Sequence, residues 1–79
     1  MDVTLKMDVV AIKKLMVENQ YDTICSLSVA SGINRTTLGK ILDGSIQPSA
    51  DVMYKLIYAL HIYPEQAGRI FFNGNLRIA

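Results

Sequence analysis

Ser31-Gly32-Ile33-Asn34-Arg35-Thr36-Thr37-Leu38-Gly39-Lys40-Ile41-Leu42-Asp43-Gly44 is the stretch on which the reading of this chain turns. It has the order of a sharp corner, a helix start, about three turns of helix and a glycine stop. Gly32 offers the positive φ that a tight helix-to-helix corner needs. Asn34 is a good N-cap, because its side-chain oxygen can accept from the N–H groups of the first turn. Leu38, Ile41 and Leu42 fall on one helical face, while Arg35, Thr36 and Lys40 project from another. Gly44 suits the left-handed position just past a helix end. A short helix buried on one side and carrying cations and hydroxyls on the other suits insertion into a nucleic-acid groove.

Outward from this stretch, length and composition set bounds. A chain of 79 residues is read as one small domain, near the lower limit at which a core alone sustains a fold. Apolar residues make up 51% of the chain but are spread along it. No run approaches the roughly 18 apolar residues of a membrane span, and no charged-then-apolar leader opens the sequence. The expectation is a cytoplasmic protein. A single cysteine, Cys25, excludes an internal disulfide, and His61 has no second His or Cys at ligand spacing, so no metal site is expected. Paired carboxylates, a nucleophile–base set and a phosphate-cradling loop are all missing from the pattern. We therefore expect no enzyme activity, no cofactor and no small-molecule ligand.

Charge acts through its distribution. Eight Lys and Arg against seven Asp and Glu is nearly balanced, which argues against a heavily non-specific binder that must neutralise many phosphates. Six of the acids lie outside the opening stretch, and only Asp43 lies inside it.

Taken in order, the chain predicts five short helices, an all-α pattern. Val3 and Leu5 alternate with Asp2, Thr4 and Lys6, the pattern of a short strand or a loose arm. Asp8 caps a helix to about Asn19, with Val9, Ile12, Leu15 and Met16 inward and Lys13, Lys14 and Glu18 largely outward. Thr23 or Asp22 caps a second helix to about Ala30, with Ile24, Leu27 and Ser28 inward. The corner and the opening helix follow. Pro48 and Ser49 end a loop and start a fourth helix, about Ala50 to Leu60, whose broad apolar surface marks it as the central packing element. Pro64 suits the first turn of a fifth helix to about Phe72, and Asn73-Gly74-Asn75 reads as its stop. Leu76-Arg77-Ile78 alternates again and can pair with Val3-Thr4-Leu5 or with a second subunit.

Helix, tight corner and helix over about 23–43 is a helix-turn-helix in outline. The run Ser31 to Gln66 resembles the lambda-repressor-like, Cro-type helix-turn-helix domains of phage and bacterial regulators. The likeness rests on the Ser-Gly-Ile-Asn-Arg-Thr-Thr-Leu core at 31–38, the Ile41-Leu42-Asp43-Gly44 end, Gln47-Pro48-Ser49, Lys55-Leu56, Ala59-Leu60 and Pro64-Glu65. It extends more weakly upstream to Ile12-Lys13-Lys14-Leu15. The resemblance implies a five-helix DNA-binding domain with its recognition helix at about 34–43. Asn34, Arg35, Thr36 and Lys40 match its exposed positions, where the family's side chains meet bases and phosphates. Arg can bond guanine bidentately, Thr can touch a thymine methyl, and Lys can meet guanine or phosphate. Ser45 and Gln47 match loop contacts to the DNA backbone.

Three positions depart from the family. Ile24 stands where a phosphate-touching glutamine is common, leaving Thr23 or the helix N–H groups to replace that contact. Ser28 replaces the usual alanine, and its hydroxyl can bond the preceding turn. Gly39 is read as mid-helix and outward; it either lets the backbone approach DNA or is simply tolerated. Ile70, Phe71, Phe72, Leu76 and Ile78 exceed what so small a domain is expected to bury, so the C-terminal helix and tail are expected to form a homodimer contact. The function implied is a sequence-specific regulator, most simply a repressor, binding double-stranded DNA as a dimer. The alternative is a protein-interaction module of the same fold, such as an antitoxin or anti-repressor.

Overall fold

The computed structural model describes residues 2–77, with side chains from Lys6 to Phe72. Five helices follow one another: α1 (Val9–Glu18), α2 (Ile24–Ser31), α3 (Arg35–Leu42), α4 (Ala50–Leu60) and α5 (Pro64–Phe71). Strands β1 (Asp2–Lys6) and β2 (Asn73–Arg77) flank them and pair antiparallel, with Val3 opposite Leu76 and Leu5 opposite Gly74. The alternation at the two ends of the chain therefore resolves as pairing within the chain. Asn73-Gly74-Asn75 enters β2 rather than forming a stop, because α5 ends at Phe71 and the backbone runs directly into the ribbon. Ile78 lies outside the described residues.

Four of the five helices begin at a residue whose side chain accepts from first-turn N–H groups. Asp8 accepts from Ala11 N–H, and Ser49 from Val52 N–H. At α2 the cap is Thr23 rather than Asp22. Its hydroxyl accepts from Ser26 N–H while the Ser26 hydroxyl accepts from Thr23 N–H, a reciprocal pair. α5 begins on Pro64, with the Gln66 side chain accepting from Tyr63 N–H. At its other end α4 closes on His61, which adopts the left-handed conformation at φ +54°.

One core collects from every helix: Ile12 and Met16, Leu27, Leu38 with Ile41 and Leu42, Leu56 with Leu60, and Ile70 with Phe71, joined by Met7, Ile33 and Ile62. Ile12, Leu27, Leu38 and Leu56 are fully enclosed. Truncating one of them to alanine forfeits roughly 2–5 kcal/mol, a large part of the stability of a domain this size. Ile70 and Phe71 belong to this core, so they are not available to a partner; Phe72, the last residue whose side chain is described, is exposed. α5 reaches the core because its end is tied to the start of α1: Asp8 N–H donates to Ile70 O at 2.6 Å. Among the described residues no helix is long and apolar enough to cross a membrane.

Candidate functional site

The corner between α2 and α3 is fixed by side chains as well as by backbone. Gly32 adopts φ +75° and its N–H donates to Ser28 O. The Ser31 hydroxyl donates back to Leu27 O and accepts from Ile33 N–H. Ser28 does not bond the turn before it. Its hydroxyl reaches forward to Ile33 O, which adds a clasp across the corner. Buried Ile33 then locks the entry to α3 into the core.

α3 is held at both ends. The Asn34 side-chain oxygen accepts from Thr36 and Thr37 N–H at 2.9 and 3.3 Å. At the far end Gly44, at φ +84°, donates to Ile41 O, and Ser45 N–H donates to Lys40 O. These are the two bonds of a Schellman closure, which needs the left-handed residue that glycine supplies without a Cβ clash. With Leu38, Ile41 and Leu42 buried, the helix has little freedom to roll.

A helix turns by about 100° per residue, so Thr36 and Lys40 lie at the centre of the face opposite those three. Arg35 and Gly39 lie on one flank and Thr37 on the other. Arg35, Thr36 and Lys40 are all exposed. Asp43 continues the same outward line and was not among the residues expected at the site. Its carboxylate accepts from Ser45 N–H at 2.8 Å. Hydrogen bonding from Ser45, helped by the nearby Lys40 charge, holds its pKa below the ordinary carboxylate value. The outward face thus carries a fixed negative charge beside its cation.

The remaining expected residues divide. Thr23 and Ser45 are exposed, with Thr23 accepting as a cap and Ser45 orienting on Asp43. Gln47 is engaged inside the chain at both ends of its amide. Its oxygen accepts from Met7 N–H at 2.9 Å and its nitrogen donates to Phe71 O at 2.8 Å. The side chain therefore braces the start of α1 against the end of α5, leaving one amide N–H to offer outward. Gly39 is half-buried and lines a hollow of about 400 Å3 with Lys13, Tyr21, Asp22, Ile24 and Asp43. It faces the groove toward α1 and α2 rather than straight outward.

Two cations join the site that sequence reasoning did not assign to it. Lys13 of α1 lines the hollow beside Gly39, and Lys6 at the end of β1 lines another with Gly44, Ser45 and Ile46. Both lie far from α3 in sequence, and no local signal marks them; only the packing brings them to either side of the helix. Among the residues whose side chains are described, Lys6 to Phe72, Lys55 is the one cation in an ion pair, 3.1 Å from Asp51 on α4. No group of three His, Cys, Asp or Glu residues among them is placed to hold a metal ion. Compared with protein-family models, curated proteins and solved structures, the chain matches none.

Proposed function

We propose that this chain is a sequence-specific DNA-binding transcriptional regulator of the lambda-repressor-like type. In this reading α2 and α3 are a helix-turn-helix and α3 is the recognition helix. The observation that carries it is the presentation of α3. A helix of eight residues is capped at both ends, rooted in the core by three side chains, and turns Thr36 and Lys40 outward with Arg35 beside them. Rigid presentation matters because base readout depends on side chains arriving in register with base edges. Arg35 and Thr36 sit at the N-terminal end, the part of a recognition helix that meets bases in this docking mode. Lys40 and Lys13 supply phosphate contacts around it. Two copies reading a pseudo-palindromic site complete the proposal, with a repressor the simplest outcome of occupying a promoter.

The test is selection of bound duplexes from a random library, followed by gel shifts of the selected sequence with wild type, Arg35→Ala and Lys40→Ala. Enrichment of one sequence, with binding weakened by both substitutions, is the expected result.

A second reading, a protein-interaction module on the same fold, has its own support. Tyr54 and Tyr58 on α4 are 67% and 82% exposed and Val29 on α2 is 81% exposed, and the net charge is only +1. Failure of any duplex to be enriched would favour it.

A further inference from the structure

Beyond the reading of α3, we propose that β1 is a self-pairing edge through which two copies of this chain join into one four-stranded sheet. The ribbon has the order β1–β2 and no third strand among the described residues. A two-stranded ribbon is marginal in water by itself, and each outer edge carries backbone groups that a further strand can satisfy. The occupant is set by the sequence of β1, Asp2-Val3-Thr4-Leu5-Lys6, which is complementary to itself when reversed. A two-fold axis at Thr4 places Asp2 opposite Lys6 of the other copy, Val3 opposite Leu5, and Thr4 opposite Thr4. Unlike charges and apolar residues meet in register, the pairings that stabilise antiparallel strands. The same operator makes the contact isologous, so it closes at two copies.

The alternatives are poorer. A slip of one residue sets Asp2 opposite Leu5 and Val3 opposite Thr4, mixing the two faces of the ribbon. A slip of two leaves Lys6 or Asp2 without an opposite. Self-pairing of β2 about Asn75 sets Gly74 opposite Leu76 and Asn73 opposite Arg77, with no unlike charges and a glycine that weakens the strand. Within each copy Asp2 already stands opposite Arg77 and Val3 opposite Leu76. The β1–β1 contact therefore extends both rows across the sheet: Arg77, Asp2, then the other copy's Lys6 and Asn73 in one, and Leu76, Val3, Leu5 and Gly74 in the next.

The test is sedimentation of the full chain without DNA, so that it stands or falls apart from the regulator reading. Wild type should dimerise. Lys6→Asp and Asp2→Lys should each raise the dimer dissociation constant roughly tenfold or more, because two opposed pairs turn repulsive at once. An equimolar mixture of the two variants should recover a dimer, since positions 2 and 6 are both acidic in one variant and then face two lysines of the other. Thr4→Cys in a Cys25→Ser background should form an intermolecular disulfide under mild oxidant, its Cα separation across the axis falling in the range a disulfide spans. A wild-type monomer at high micromolar concentration overturns the proposal. So does a dimer indifferent to both charge substitutions, including one lost instead with Phe72→Ala or Tyr54→Ala, or a mixture that stays monomeric.

Discussion

Gln47 shows how a single residue can change meaning once its partners are known. In sequence it sits in the loop after α3, where the resemblance places a contact to the DNA backbone. In the structure its amide joins Met7 N–H to Phe71 O, and nothing local in Gln47-Pro48-Ser49 could reveal partners 40 and 24 residues away. Gln47→Ala leaves a part-buried N–H and a carbonyl without their partner, so we expect a loss of about 1–3 kcal/mol in urea unfolding. Binding to DNA, measured where the variant is folded, should fall little. Asp43 carries a second prediction at this scale. Its pKa is lowered in the folded chain, chiefly by the bonds from Ser45. A lowered folded value means that the stabilisation is complete above the unfolded pKa and fades as pH falls through the folded one. Urea midpoints between pH 5 and 2 should therefore decline less in Asp43→Asn than in wild type, with the difference confined to the region below about pH 4.

At the scale of the element, α3 was legible because its signals are local. Asn34 caps, three apolar residues at helical spacing bury, and Gly44 closes in the left-handed region; each requirement is met within a turn or two of the residue that meets it. Gly39 was legible only in part. Its mid-helix position is evident from spacing, but its turn toward the groove of α1 and α2 depends on how the helices pack. A Cβ added there would meet no atom within 4 Å, so the substitution removes backbone freedom without a clash. Gly39→Ala should raise stability by about 0.5–1 kcal/mol in chemical denaturation. Its affinity for the selected duplex should stay within about twofold of wild type, as the charge and reach of α3 are unchanged. A large drop in affinity would mean that the backbone at Gly39 lies against DNA after all.

For the whole molecule, the five helices and their order follow from periodicity and caps, because amphipathic spacing records which face must leave water. What periodicity does not record is how much a core can take in. Ile70 and Phe71 look surplus to a chain of 79 residues, yet both are enclosed, since α5 docks on α1 through Asp8 and brings them into the core. The placement of Lys6 and Lys13 beside α3 is likewise a property of assembly rather than of any local stretch. Under the proposed reading, Lys13 adds its charge to Arg35 and Lys40, so attraction to DNA would rest on where the cations stand rather than on net charge.

The measurement that tests the account most directly is the salt dependence of binding to a duplex selected from a random library, for wild type, Arg35→Ala and Lys40→Ala. We predict that one sequence is enriched and that log affinity falls linearly with log salt. Arg35→Ala should cost about 1–3 kcal/mol and relax preference at one base position. Lys40→Ala should weaken binding on all sequences and lower the salt slope by about one if it meets phosphate. No enriched sequence, or binding that neither salt nor either substitution alters, would contradict the assignment of α3 as a recognition helix.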